Sequence, residues 1–214
     1  MSYRFIKYFL ALTVPFLAYF SFNGTGIITY APMIEAFLVI PLLELFFKPN
    51  SNNLNEAEEE MAKEDKSYDI VLYLLVPIIF FLLWEFLLSM RENISLFDKI
   101  GRILSMGLIC GGFGINVAHE LGHRNNKFEQ FLSKTLLLSS LYMHFFIEHN
   151  RGHHKRVSTM EDPSSARYGE NIFSFWLRSV FSGYVSAWNI EFKRLKRINK
   201  YKFSIQNEML RFQI

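Results

Sequence analysis

Apolar residues in this chain are gathered into blocks of membrane-crossing length, and that arrangement restricts the fold more than any other feature. A bilayer core about 30 Å thick needs roughly 20 mostly apolar residues in a helix. Phe5 to Phe22, Ile27 to Phe47 and Tyr68 to Met90 meet that length. A fourth stretch, Ile100 to Ala118, contains five glycines and runs directly into His119. Glycine lets helices approach closely in lipid, so this stretch is expected to be a packed inner helix. Lipid requires every backbone polar group to be satisfied internally. The expected fold is therefore all-α and polytopic, with at least four transmembrane helices and a histidine-rich site at one end.

The first stretch follows Arg4 and Lys7, as a secretory signal would. Its apolar core is longer than a signal's, no small-residue cleavage site follows, and a second apolar span begins just after Asn23-Gly24-Thr25-Gly26. Residues 1–47 are thus expected to form a helical hairpin, 48–67 an acidic loop, and 68–118 a second helical pair. The loop contains Pro49-Asn50-Ser51-Asn52-Asn53 and the run Glu56 to Glu60. Glu58-Glu59-Glu60 fits the polar face of a surface helix.

Counting crossings from an inside N-terminus puts the acidic loop inside, Arg91 to Lys99 outside, and His119 inside. The region after His123 carries Arg124, Lys127, Lys134, Arg151, Lys155 and Arg156, as the positive-inside rule expects. Phe131 to Ile147 is apolar but separates two histidine groups that must meet on one side. It is therefore expected to lie in the interface or inside the protein, with Ser133, Lys134, Ser139 and Ser140 near headgroups. Asp162-Pro163 ends any helix. Ile172 to Ile190 carries Arg178 and reads as an imperfect span or an amphipathic helix; the basic run from Lys193 to Lys200 follows it, as a juxtamembrane segment would.

Composition removes several function classes. The formal charge is only +3, with basic and acidic residues interspersed until the C-terminus, which implies no nucleic acid. The single cysteine, Cys110, excludes an internal disulfide and a thiolate-rich metal site. The Gly111-Gly112-x-Gly114 cluster sits inside an apolar helix rather than after a strand, so helix packing explains it better than nucleotide binding.

All six histidines fall between His119 and His154. His119 and His123 are four residues apart, as are His149 and His153, and His154 follows directly. A four-residue step puts two imidazoles on one helix face, where they can share a metal, and imidazole suits iron, zinc and copper alike. The pentapeptide from His119 to His123 also matches the His-Glu-x-x-His pattern of zinc proteases, with Glu120 as general base. A catalytic zinc takes three protein ligands, so the five candidates His119, His123, His149, His153 and His154 point to two metals. Glu120, Glu148 and Asp162 are candidate acceptors for the free imidazole N–H groups. His144 lies outside both spacings and reads as a packing residue. The protease alternative leaves His149, His153 and His154 without a role. A membrane metal transporter would place its ligands within the spans rather than at the end of one.

The motifs His119-Glu120-Leu121-Gly122-His123-Arg124 and Glu148-His149-Asn150-Arg151-Gly152-His153-His154 closely resemble the first two histidine boxes of the alkane 1-monooxygenases, membrane non-haem di-iron hydroxylases of the fatty acid desaturase and hydroxylase superfamily. The stretch from Thr159 to Arg167 is similar to the segment after the second box. The first box of that family usually ends in lysine rather than Arg124. The resemblance spans the four leading helices and both boxes, making 1–214 one membrane-embedded hydroxylase domain, with boxes at 119–167 and an amphipathic or partial membrane segment at 168–214. It implies two irons, electrons from rubredoxin and rubredoxin reductase, a hydrophobic small-molecule substrate, membrane lipid around the helices, and a multi-pass location in a bacterial inner membrane with the metal site cytoplasmic. The implied reaction is O2-dependent terminal hydroxylation of n-alkanes or related hydrocarbons. Fatty-acid desaturases and aryl-methyl hydroxylases share the superfamily, although desaturases generally show His-x-x-His-His. The family's remaining boxes, Leu-Gln-Arg-His-Ser-Asp-His-His and Asn-Tyr-x-Glu-His-Tyr-Gly, are absent, so the chain is expected to be the N-terminal part of a longer enzyme.

Overall fold

In the computed structural model, which describes residues 3–47, 53 and 55–213, the chain is helical with no strand among the described residues. A 3₁₀ segment, Tyr3–Leu12, leads into α1 (Thr13–Asn23). Then come α2 (Gly26–Phe46), α3 (Glu56–Glu64), α4 (Ser67–Ser89) and α5 (Leu96–His123). Of these, α2, α4 and α5 are long and apolar enough to cross a membrane. They match three of the four expected spans; the first apolar run is helical but is not among them. The glutamate run of the acidic loop lies in α3, an exposed helix opened by a capping box between Asn55 and Glu58. Residues 48–52 of that loop lie outside the described residues.

The remaining elements are α6 (Lys127–Leu138), α7 (His144–Glu148), a π turn at His149–His153 continued by the short helical turn His154–Arg156, α8 (Ile172–Arg197) and α9 (Glu208–Arg211). The chain divides into two compact units, Met1–Val117 and Ala118–Ile214.

Within the first unit, small residues allow close crossing. A β-carbon on Gly101 would fall 2.7 Å from both Thr29 Cβ and Tyr30 Cε2. The hydroxyls of Ser21 and Ser105 both donate to the Thr29 carbonyl, at 2.6 and 2.8 Å. Arg102, only 2% exposed, donates to the carbonyls of Ser89 at 2.8 Å and Gly24 at 2.9 Å. These carbonyls lie at the C-terminal ends of α4 and α1, which have no intrahelical partners and carry partial negative charge, so one guanidinium closes two helix ends. Asp98 performs the complementary task, accepting from the Gly26 N–H at 2.6 Å where α2 begins.

Within the second unit, the apolar run Phe131 to Ile147 is two helices and a turn. α6 ends in a Schellman arrangement: the Tyr142 N–H reaches the Leu137 carbonyl and the Leu141 N–H that of Leu138, with Leu141 at φ +54°. Leu136, Leu137 and Ile147 are fully buried while Phe131, Leu138 and Leu141 are exposed, so one side of the run serves as core. α8 packs on α7 and the π turn, and its residue Ala187 forms a buried cluster with Ile147 and Met209. Over its length α8 is amphipathic, with Ser174, Arg178, Ser182, Ser186, Asn189 and Lys193 recurring along one side. It is not among the membrane-length apolar helices.

Candidate metal centre

The last turn of α5 presents His119 and His123 one above the other, and the π turn after α7 presents the second histidine group. A π turn closes on an i→i+5 hydrogen bond, and here the His154 N–H reaches the His149 carbonyl. The consequence is a pairing that a four-residue rule does not give: His154 joins His149, with Nε2 to Nε2 at 3.0 Å. The chain of close imidazoles continues from His149 to His123 at 3.1 Å and from His123 to His119 at 2.9 Å.

One ligand nitrogen from each of His119, His123, His149 and His154 lies within 4.8 Å of the others. Four imidazole nitrogens so close exceed what shared protons can satisfy, because each neutral ring has one donor. The spacing instead suits a cation: two nitrogens bound to one ion at about 2.1 Å stand about 3.0–3.4 Å apart for octahedral or tetrahedral angles. Burial, with repulsion from His119, His154, His123 and His153, pushes the His149 pKa down to about 3. The ring is therefore neutral near pH 7, the form that ligates metal. Phe145 stacks on it at 4.7 Å, covering one face.

His153 is held apart from this group. Its Nδ1 lies 2.9 Å from Asp162 Oδ2, and its ring stacks on His149 at 5.2 Å. Asp162 is 1% exposed. Burial opposes its ionisation, but hydrogen bonds from the Ser165 hydroxyl, the Ser164 N–H and His153 outweigh that and hold its carboxyl below the usual range. An ionised Asp162 fixes the tautomer with Nδ1 protonated and leaves the Nε2 lone pair available.

The other two carboxylates are engaged by arginines. Glu148 Oε1 accepts from Arg156 at 2.9 Å and from Ser186 at 3.0 Å; burial raises its carboxyl pKa above the usual value, against the pull of both partners. Glu120, 56% exposed, accepts from Arg124 at 3.3 Å. Neither carboxylate has a histidine hydrogen-bond partner comparable to that of Asp162. His144 packs edge-on between Tyr142 and Tyr184, at 4.5 and 5.2 Å, and burial lowers its pKa.

Three contributors escape sequence reading. Phe145 was legible only as an apolar residue four positions before His149. Arg178 stood out as a charge in an apolar segment, but its partners are fixed by the fold. Glu191 is fully buried in α8 and receives Arg194 at 2.6 and 2.7 Å, the Glu208 N–H at 2.8 Å, and, at 3.5 Å, Arg151 of the second histidine motif.

Three apolar spans and a convergent imidazole cluster define an all-helical, polytopic membrane protein with a metal-binding donor set. The chain belongs to the fatty acid desaturase family, whose sequence profile matches residues 100–213. It is similar to an alkane 1-monooxygenase of Pseudomonas putida, with 34% identity over 95% of this chain and 52% of the relative. It also resembles an alkane 1-monooxygenase of Acinetobacter baylyi, at 36% identity over 81% of this chain and 42% of the relative, and alkane 1-monooxygenase 1 of Alcanivorax borkumensis, at 34% over 80% and 43%. The chain spans about half the length of these relatives.

Proposed function

We propose that this chain serves in an O2-dependent hydroxylase that converts n-alkanes or related hydrocarbons to primary alcohols, with two irons at its histidine site and rubredoxin, reduced by its reductase, as electron donor. The observation that carries this reading is the approach of four imidazole nitrogens from two separate histidine motifs to within 4.8 Å. Similarity to relatives named alkane 1-monooxygenase selects the reaction class. His119, His123, His149 and His154 are assigned as iron ligands, and His153 as a further ligand through Nε2, with Asp162 orienting it. Glu148 and Glu120 act less directly, by holding Arg156 and Arg124 beside the two motifs.

Iron bound by this donor set would supply the redox chemistry that activates O2 and breaks the C–H bond. The protein's own contribution is positional. Imidazole side chains supply the nitrogen donors, Phe145 covers one face of His149, and apolar helices let a bilayer-dissolved substrate approach without crossing water. The run Phe5 to Phe22 is assigned as a fourth span, pairing with α2 as the hairpin 1–47, and the histidine end as cytoplasmic in a bacterial inner membrane, on the bias of Lys and Arg after His123. On this reading residues 1–214 belong to a membrane-embedded hydroxylase domain.

The test is product analysis of a form extended to the relatives' length, supplied with O2, reduced rubredoxin and an n-alkane in proteoliposomes. A 1-alkanol carrying one 18O from 18O2, lost in His149→Ala, is expected. An alkene from a fatty acyl substrate would move the assignment to a desaturase, and hydrolysis of peptides without O2 would overturn it.

A further inference from the structure

The loop between the turn at Arg156 and α8 carries Asp162, and its shape is set from outside by one arginine. Arg178 lies in the second turn of α8. Its Nε and Nη2 donate to the two carboxylate oxygens of Glu170, both at 2.6 Å. Its Nη1 reaches the Pro163 carbonyl and its Nη2 the Ser165 carbonyl, each at 3.0 Å. The guanidinium thus holds the backbone one and three residues after Asp162, and an anion at the far end of the loop holds the guanidinium. Such planar two-oxygen pairing fixes direction as well as distance.

Two further contacts transmit this grip to the carboxylate. The Ser165 hydroxyl donates to Asp162 Oδ2 at 2.5 Å and accepts from the Ser158 N–H at 3.0 Å. Ser158 takes φ +64°, which turns the chain into the loop and is uncommon for a residue with a side chain. The Ser164 N–H donates to Asp162 Oδ1 at 3.0 Å. Both Asp162 oxygens are therefore aimed by the segment that Arg178 grips, and Oδ2 is the atom that meets His153 Nδ1.

We infer that the Arg178–Glu170 pair is a positioning device for the metal centre: it straps the 157–171 loop so that Asp162 fixes the ring of His153. This rests on the reading of His153 as a ligand. Arg178 touches no histidine, and an arginine in an otherwise apolar helical segment is accounted for by these four donations. Partners one shell out from a metal typically alter affinity about 10- to 100-fold when removed.

The test uses the whole chain in detergent and Co(II), whose ligand-field bands report imidazole geometry, with helicity followed by circular dichroism. Arg178→Met is expected to keep wild-type helicity, weaken Co(II) binding several-fold, up to about the tenfold lower bound for losing the ligand's own partner Asp162, and shift the bands; Arg178→Lys, which keeps the charge but not the fork, should recover part of the affinity. If Arg178→Met does not fold, Glu170→Gln serves in its place, with the same direction expected. Wild-type affinity and bands in both Arg178→Met and Glu170→Gln would overturn the inference. Asp162→Asn separates the layers: weakened binding there, with both strap variants unchanged, sinks the strap and keeps the ligand assignment. No Co(II) bands in the wild type would sink the ligand assignment and the strap together.

Discussion

Gly152 leaves no room for a side chain beside Glu148. A β-carbon there would meet Glu148 Oε1, stand 2.6 Å from Arg156 Nη2 and 2.8 Å from Ile190 Cδ1. Gly152 lies on the π turn that carries the second histidine group, and Glu148 and Arg156, which flank that turn, are joined at 2.9 Å just behind it. Gly152→Ala is therefore expected to destabilise the second unit by about 1–3 kcal/mol through overpacking. Thermal unfolding in detergent measures this, and Co(II) affinity should fall as the turn shifts.

Arg102 provides a separate test in the first unit. Replacing it with Met strips the helix-end carbonyls of Gly24 and Ser89 of their donor. The cost is expected to be about 1.5–3 kcal/mol, the range for hydrogen bonds to a charged group. Arg102→Lys should lie between, since one ammonium cannot span both carbonyls in the arginine's plane. Unfolding followed by circular dichroism in mixed micelles decides it; equal stability of Met and wild type would show that the carbonyls need no such donor.

Much of this architecture was readable from residues alone. Apolar length located α2, α4 and α5, because lipid leaves a helix little alternative, and the glutamate run read as the polar face of a surface helix does lie in a helix, α3. The five candidate histidines also lie within one unit. The pairing within the second motif was not readable: the four-residue step pointed to His149 with His153, whereas the π turn brings His149 to His154 and releases His153 toward Asp162. A π turn leaves no periodic mark in five residues. The break of Phe131 to Ile147 at Leu141 was equally hidden, since leucine carries no signal for φ +54° and only tertiary packing selects it.

Glu191 should be the most sensitive acid away from the histidines. Glu191→Ala leaves Arg194, Arg151 and the Glu208 N–H without their shared acceptor. A loss of about 1–3 kcal/mol is expected, below that of a fully buried ion pair because both arginines are about one-third exposed, with side-chain exposures of 32% and 35%. Glu191→Gln should retain part of it. Chemical denaturation of the three proteins ranks them directly.

The strap also has a pH signature. The Arg178 side chain, hydrogen-bonded to Glu170, lowers the Glu170 pKa from its ordinary 4.5 to about 2. A carboxylate whose folded pKa is depressed contributes stability above its unfolded pKa and loses it as pH falls toward the folded value. Resistance of the 157–171 loop to an acid-active protease should therefore decline between pH 4.5 and about 2. In Glu170→Gln the loop should be more open throughout and show less of this decline. Parallel pH profiles for the two proteins would count against the pair.

The most direct test of the central claim is elemental analysis of metal bound per chain after anaerobic loading with Fe(II), comparing wild type, His119→Ala, His149→Ala and His154→Ala. The account predicts bound iron in the wild type and its loss or marked weakening in each variant, because one cluster is built from both motifs. Metal that depends on His119 alone, and is retained when His149 or His154 is removed, would contradict it.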